Sequence, residues 1–390
     1  MSTAIARTAA EEALGFQLPH RRMEEWRWTD LRQLIDKPYP PRQQVEAKAS
    51  DVERLLKGTV FHAIAATRMV FVNGQLDERL SRLANGAVEA KAEATEPVQQ
   101  LTAAFATGGA RIRLEGNIDT PVELVFIATN AAPRTLATLN VIEVVEGASA
   151  TIIETHVGEG SYLSASVTEI RVGAGARLDR VKVEMESHEA THLAHTHVTL
   201  GANVTYRDFT LSTGARLNRQ NGTCCFTGTF ADARISGAYL LAGKQHADTR
   251  LVVDHAVPNC VSRELFKCVM DDHARGIFQG KVIVRPHAQK TDGKQSSNAL
   301  LLSETAEFDA KPELEIYADD VVCGHGATAG DLNHDHVFYL KSRGIPEADA
   351  KAMLIGAFVG EGFETIHHDG LREALNDYAA RWLTEHRRKG

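Results

Sequence analysis

The chain of 390 residues has few cysteines, few aromatic side chains and no long apolar run. Its five cysteines form no C-x-x-C pair, which argues against a disulfide framework and against a ready-made zinc site. No apolar stretch approaches the ~20 residues that a membrane-spanning helix requires. The first residues include Glu11 and Glu12 and lack the apolar core of a secretory signal. These absences predict a reduced, soluble protein of the cytoplasm without a membrane partner.

The charge balance and the glycine motifs argue against two further classes of protein. Lysine and arginine number 43 against 51 aspartates and glutamates, so the formal net charge is −8. Nucleic-acid-binding domains normally carry a basic face, so this balance predicts no nucleic-acid partner. No Gly-Lys pair has the spacing and the following Ser or Thr of a Walker motif. Gly173-Ala-Gly175 lacks the third glycine of a dinucleotide fingerprint, so no nucleotide site is predicted.

Short β-branched runs alternate with glycine, asparagine and aspartate between residues 108 and 340. Gly-Ala pairs recur there at irregular intervals, at 147–148, 175–176, 201–202, 214–215 and 237–238. Strand–turn–strand units of roughly 20–30 residues are typical of a solenoid, in which each unit buries its apolar face against the next. Glycine suits the corners, where a positive φ or a close backbone approach is needed. The pattern predicts a mainly β fold built on a parallel β-helix, with a β-sandwich as the alternative.

Helical patterns flank this β region on both sides. The N-terminal segment contains Trp26 and Trp28, which we interpret as a packing anchor. The last helical segment carries apolar residues at i, i+4, i+7 and i+11, namely Leu371, Leu375, Tyr378 and Trp382. We predict an N-terminal helical and mixed region over residues 1–100, a β-helix core over 101–342 and a C-terminal helical region over 343–390. The C-terminal helices would close the solenoid, dock a partner, or do both.

Cys323 and His325 are candidate metal ligands in Cys323-Gly324-His325. Residues two apart on a strand point the same way, so this thiol and imidazole would face one side. Thiolate plus imidazole is a half-site for iron or zinc, and further ligands would have to come from elsewhere or from another chain. A structural thiol is an equally good interpretation of Cys323, since buried cysteine behaves as a small apolar residue.

Other clusters of polar residues allow both a functional and a structural interpretation. The segment HEATHLAHTH contains His188, His192, His195 and His197. His195 and His197 would share one side of a strand and could take a metal, but a solvent-facing ladder is the alternative, because the cluster offers no obvious third type of ligand. Carboxylate pairs stand at Glu313/Glu315, Asp319/Asp320 and Asp271/Asp272. Such pairs could serve glycoside chemistry on a β-helix, although solvated strand edges and caps explain them as well.

Four ordered motifs carry a resemblance to a known family. They are DGKQ at 292–295, KPELEI at 311–316, DDVVCGHGAT at 319–328 and FYLKSRGI at 338–345. Together with the segment 248–284 and with EEWRWTDL at 24–31, they resemble the SufB/SufD family of iron–sulfur cluster assembly proteins. The resemblance runs over nearly the whole chain and is strongest from about residue 240 to 360. It implies a right-handed parallel β-helix flanked by helical N-terminal and C-terminal regions.

Within the family, the sequence resembles the SufD branch. The place of the SufB branch's cluster-building cysteine falls at Pro312, and Gly326 follows the motif histidine where that branch has glutamate. By this resemblance, His325 would lie at an interface with a SufB-like paralogue and help hold iron or a nascent cluster with the partner's cysteine. The role of Cys323 stays open. A SufC-like ABC ATPase would bind the C-terminal helical region.

The resemblance thus implies a scaffold subunit without catalysis of its own. Such a subunit would bind no cofactor alone and would share iron or a nascent iron–sulfur cluster with its partner. Two alternatives stay open. The chain could be a self-associating homodimer that serves as a metal-binding or structural module, or a β-helix carbohydrate-active enzyme that uses paired acids.

Overall fold

The computed structural model describes residues 8–35, 37–41, 46–83 and 94–387. The chain is 44% strand and 20% helix, and its strands form a parallel solenoid of about eight turns with helices at both termini. The predicted β-helix is therefore confirmed, and the β-sandwich alternative is wrong. Residues 1–7, 36, 42–45, 84–93 and 388–390 of the two predicted helical regions lie outside the described residues.

Two sheets face each other across the solenoid interior. From β3 onwards each turn gives one strand to each sheet, so the even-numbered strands form one sheet and the odd-numbered strands the other. β1 extends the even-numbered sheet in parallel, and the short β2 ends it in antiparallel pairing. The strands of the first half are β1 (Thr67–Val72), β2 (Gln75–Leu76), β3 (Arg111–Leu114), β4 (Val122–Ala128), β5 (Thr135–Val144), β6 (Ser149–Gly158), β7 (Leu163–Val172), β8 (Arg177–Met185) and β9 (Thr191–Leu200). Those of the second half are β10 (Thr205–Ser212), β11 (Leu217–Phe226), β12 (Asp232–Leu241), β13 (His246–His255), β14 (Val261–Met270), β15 (Arg275–Val284), β16 (Asp292–Leu301), β17 (Glu307–Ile316) and β18 (Val322–Gly330).

Helices cover the outer faces of both sheets. They are α1 (Ala9–Leu14), a 3-10 helix (Glu24–Trp26), α2 (Leu31–Leu34), α3 (Ala49–Lys57), α4 (Pro97–Phe105), α5 (His334–Ser342), α6 (Glu347–Phe363) and α7 (Asp369–Arg387). The N-terminal elements α1, α2 and α4 pack on Leu163, Leu193 and Leu217 of the odd-numbered sheet. The C-terminal helices pack on the even-numbered sheet, where they cover Val181 and Val183. β1 precedes residue 101 and α5 begins before residue 343, and the exact division into three regions stays a prediction.

The N-terminal segment is fixed to the solenoid by a buried aromatic and ionic cluster. Trp26 is buried, and the Arg219 guanidinium carbon lies 4.6 Å from the centroid of its ring. Arg219 also donates a hydrogen bond of 2.8 Å to the Glu25 carbonyl and forms a fully buried ion pair with Asp248. Thr29 donates to the same Asp248 carboxylate. The interpretation of a packing anchor is confirmed for Trp26, because its ring and the neighbouring backbone are held by groups of β11 and β13.

The C-terminal helices bury the predicted apolar stripe. Leu371, Leu375 and Trp382 of α7 are buried against the outer face of the even-numbered sheet.

No helix among the described residues is long and apolar enough to cross a membrane. All five cysteines are free thiols.

Glycine has the predicted role at some corners of the solenoid but not at all of them. Gly147 and Gly175 have φ values of 69° and 67° at turns, a conformation that residues with a Cβ rarely adopt. The prediction is wrong for the pair at 237–238, because Gly237 lies inside β12. A Cβ there would come within 2.6 Å of the Phe266 ring, so this glycine makes room for an aromatic side chain of the next turn.

Replacing Gly243 by alanine should lower the free energy of unfolding by about 1 kcal/mol, because Gly243 has a φ of 67°. A Cβ at this position would meet no atom within 4 Å, so backbone strain alone is tested. The measurement is the denaturant midpoint. Gly243→Asn is the matched control, since asparagine tolerates this conformation and Asn203 adopts it with a φ of 56°. Equal losses in the two variants would contradict the prediction.

Candidate functional site

The solenoid ends in an open turn formed by β17 and β18. These are the edge strands of the two sheets, and among the described strands β17 pairs with β15 and β18 with β16. Pro312 lies in β17, where proline is tolerated because an edge strand has one side without a partner. Ile316, Tyr317 and Val322 beside this edge are 41%, 59% and 60% exposed. We call β17, β18 and these three side chains the open end.

Cys323 and His325 both lie on β18, two residues apart, and so on one face of the strand. The register puts Cys323 in a row with Ser262, and His325 in a row with Glu264 and Gln295. Ser262, Glu264 and Gln295 are buried. Both rows therefore run along the interior side of the solenoid. Cys323 is half-buried and His325 is exposed, which puts the two candidate ligands at the open end of an otherwise buried polar interior.

The Cys323 thiol is held in its protonated form by its surroundings. Burial raises its pKa, and the charges of Asp292 and Glu264 raise it further against one opposing backbone hydrogen bond. A thiol is a ligand only as the thiolate, so Cys323 would have to exchange its proton for a metal ion. Imidazole is the commonest metal ligand among protein side chains. Of the two residues, His325 is therefore the readier ligand.

Glu264 is a buried acid in the His325 row that the sequence analysis missed. Neither of its carboxylate oxygens has a hydrogen-bond partner among the described residues. Burial raises its pKa to about 7, and Ser262 and Arg263 oppose this only in part. The carboxyl group therefore takes up or releases a proton near neutral pH, two strands below His325.

Replacing Glu264 by glutamine should change how stability depends on pH. The pKa of this acid is about 7 in the folded chain against an ordinary value of 4.5. The folded state binds more protons between these values, so wild-type stability falls as pH rises from about 4.5 to about 7. The difference in unfolding free energy between Glu264→Gln and wild type should shift by about 3 kcal/mol in favour of the variant over this range.

The check is a series of urea unfolding curves at pH values from 4.5 to 8. Glu304→Gln is the matched control, because it makes the same chemical change at an exposed position. Parallel pH profiles for Glu264→Gln and wild type would contradict the assignment of a raised pKa to Glu264.

A second polar group, which we call the interior ion cluster, lies inside the solenoid at β6, β8, β9 and β10. Its members are buried and charged or titratable: Glu154, His156, Arg180, Lys182, Glu184, Glu186, His192 and Asp208. Arg180 joins Glu154 to Asp208 at 2.7 and 3.0 Å, and Lys182 contacts Glu184 at 2.7 Å. Every basic side chain in the cluster thus contacts at least one carboxylate, as buried charges require.

The four histidines of the segment HEATHLAHTH do not form one site. His192 faces the interior, where its Nδ1 and Nε2 lie 2.7 and 3.1 Å from carboxylate oxygens of Glu186 and Glu184. His195 faces the outer side of β9 and is buried, and burial lowers its pKa to about 4 with His197 and Arg250 adding to the effect. The interpretation of a solvent-facing ladder is therefore wrong for His192 and His195. The carboxylate that the segment itself did not obviously supply comes from outside it, because the turn after β8 brings Glu186 to His192.

Two of the three carboxylate pairs, Glu313/Glu315 and Asp319/Asp320, contain residues that are paired with lysines near the protein surface. Glu313 is paired with Lys311, and Glu315 with Lys281. Asp319 and Asp320 are exposed, and Asp320 is paired with Lys290. This arrangement agrees with solvated strand edges.

Comparison with known proteins independently supports the resemblance to the SufB/SufD family. A family model described as "SUF system FeS cluster assembly, SufBD core domain" matches residues 126–358. The chain is 31% identical to the iron–sulfur cluster assembly protein SufD of Escherichia coli strain K12, over 94% of this chain and 89% of that protein. It is 30% identical to an iron–sulfur cluster assembly SufBD family protein of Synechocystis, over 92% and 86%. It is also 31% identical to the chloroplastic protein ABCI7 of Arabidopsis thaliana, over 67% and 57%.

Proposed function

Because the chain belongs to the SufB/SufD family of iron–sulfur cluster assembly proteins, we propose that it is a scaffold subunit of a cytoplasmic SUF complex. In this proposal its open end pairs with a SufB-like paralogue, and iron or a nascent cluster is held between the two chains. The observation that carries the proposal is the position of His325. This ligand is exposed at the open end of a buried polar interior and has only Cys323 beside it as a second metal ligand on β18.

Pairing at the open end is supported by unpaired strand edges and by exposed apolar side chains. An edge strand presents free N–H and C=O groups to any strand that can extend the sheet. Ile316, Tyr317 and Val322 would bury apolar surface in the same contact. A partner chain that brings a thiolate to this edge completes the half-site of His325, with Cys323 as an auxiliary ligand once a metal displaces its proton.

The C-terminal helices are the proposed docking surface for a SufC-like ABC ATPase. α5 follows β18 after only three residues, so a shift of α5 would act on the strand that carries His325. Phe338 and Tyr339 of α5 are 73% and 55% exposed, so they offer neighbouring apolar surface to a partner. We propose that ATP-driven dimerisation of the docked ATPases shifts α5 and the open end, and so assembles or exposes the cluster site. This chain would contribute no catalysis of its own.

The test is anaerobic purification of the tagged full-length chain from its own cells, with identification of co-purified chains and assay of iron and sulfide. We expect a SufB-like chain, a SufC-like ATPase, iron and sulfide. The Val322→Asp chain should co-purify with the ATPase but not with the paralogue. The Phe338→Asp chain should co-purify with the paralogue but not with the ATPase. Phe230→Asp is the matched control, because Phe230 is an exposed apolar residue that belongs to neither surface. Recovery of a homodimer without metal would contradict the proposal and favour the self-associating module.

A further inference from the structure

The interior ion cluster contains a set of metal ligands that the proposed scaffold role does not use. His156, Glu186 and His192 are all buried, and one potential ligand atom from each lies within 4.8 Å of the others. His156 comes from β6 and His192 from β9 of the facing sheet, while Glu186 follows β8. We infer that these three side chains form a buried site for one divalent transition-metal ion, separate from the site at His325.

A buried carboxylate oxygen without a hydrogen-bond partner indicates room for a bound cation. Glu186 is buried, and its Oε2 has no hydrogen-bond partner among the described residues. His156, Glu186 and the buried Tyr162 line a common cavity of about 20 Å³, whereas His192 contacts Glu186 but does not itself line the cavity. This volume is enough for one water-sized occupant. Leaving a buried carboxylate oxygen without a partner is costly, and a cation beside Glu186 would remove that cost.

The hydrogen-bonding of the two histidines fits metal ligation. His156 Nε2 lies 2.8 Å from Glu154 Oε1, and His192 Nε2 lies 3.1 Å from Glu184 Oε1. Metal-binding histidines commonly donate one ring N–H to a carboxylate, which fixes the ring and leaves the other nitrogen for the ion. That pattern assigns Nδ1 as the ligand atom in both rings. His192 Nδ1 already lies 2.7 Å from Glu186 Oε1, at the place where an ion would replace the shared proton.

The charge of the cluster also favours a divalent cation. Four carboxylates, those of Glu154, Glu184, Glu186 and Asp208, face two basic side chains, Arg180 and Lys182. Two negative charges are thus left over in a buried region, where uncompensated charge is costly. One divalent ion beside Glu186 would neutralise both.

The donor set defines the class of ion. Two imidazoles and one carboxylate are typical ligands of Zn²⁺ and of non-haem Fe²⁺. No sulfur is among the three ligands, in contrast to the Cys323 and His325 pair. Co²⁺ is a suitable probe, because its visible spectrum distinguishes nitrogen and oxygen ligands from thiolate ligands.

The test is the metal content of the full-length protein expressed with added Co²⁺, measured in a Cys323→Ser/His325→Ala background that removes the terminal site. We expect one equivalent of Co²⁺ that survives dialysis and shows no thiolate-to-metal charge-transfer band. Its retention would support the inference whether or not the chain still assembles clusters, so failure of the scaffold proposal would remain distinguishable. A protein without retained metal in this background would overturn the inference.

Substitution at the cluster then identifies the ligands. Glu186→Gln in the same background should weaken Co²⁺ binding roughly tenfold or more, and His156→Gln should do the same if the first variant does not fold. His195→Gln is the matched control, because His195 is a buried histidine on the other face of β9. Full retention of Co²⁺ in a folded Glu186→Gln or His156→Gln protein would overturn the assignment.

Discussion

Alanine in place of His325 should abolish cluster formation on the assembled complex while leaving fold and assembly intact. The imidazole is exposed and joins no hydrogen-bonded network among the described residues, so the unfolding free energy should change by less than about 0.5 kcal/mol. Cys323 would be a poor replacement as a ligand, because burial raises the pKa of its thiol and the thiol must lose its proton before it can bind a metal. The measurement is the iron and sulfide content of the co-purified complex, together with its absorbance spectrum.

Two further substitutions make the His325 experiment specific. His287→Ala removes another exposed histidine from the last turns of the solenoid and should leave the cluster yield unchanged. His325→Cys restores a metal ligand at the same position and should recover part of the yield. A normal cluster yield in the alanine variant would rule out the proposed role of His325.

The second large effect is expected at Arg219, which joins the N-terminal segment to the solenoid. Arg219→Met should lower the free energy of unfolding by about 3–5 kcal/mol, because the buried Asp248 would lose its basic partner. The change also removes the guanidinium from the Trp26 ring and the hydrogen bond to the Glu25 carbonyl. The measurement is the urea midpoint, followed by tryptophan fluorescence to report the environment of Trp26.

Asp248 provides the internal control for this prediction. Arg219→Met/Asp248→Asn should recover part of the lost stability, since no buried charge is then left without a partner. Arg113→Met, which breaks ion pairs between exposed groups, should cost less than about 1 kcal/mol. The prediction fails if the loss for Arg219→Met is as small as that for Arg113→Met.

The solenoid could be predicted because its turns require glycines, which recur along the sequence between short β-branched runs. Gly147 and Gly175 need a positive φ, and the β-branched runs between such turns have the length of strands. The lengths of individual strands could be predicted less well from the sequence. β8 begins at Arg177, whereas the apolar run that suggests it starts only at Val181. Its first half carries charged residues, which ordinarily indicate a loop or a solvated edge.

One part of the candidate site, the pair Cys323 and His325, could be predicted from the sequence. Cys323 and His325 stand close together in sequence, so their common face follows from strand geometry alone. The interior ion cluster could not be predicted from the sequence. In β8 Val181 and Val183 alternate with Arg180 and Lys182, and such alternation normally indicates that the charged side chains face water. Here the valines face outward and are covered by the C-terminal helices, so the charged residues face inward. Only the tertiary placement of α6 and α7 reveals this inversion.

The two ends of the solenoid differ in how much strand edge they offer to another chain. At one end the even-numbered sheet closes with β2, a two-residue antiparallel strand, and the odd-numbered sheet ends in β3, a strand of only four residues. Both offer little backbone for addition. At the other end β17 and β18 present ten and nine residues of strand. Head-to-tail stacking, which produces filaments, needs two receptive ends, whereas head-to-head contact uses up the receptive surface of both chains at once. We therefore expect association through these strands to stop at a pair of chains.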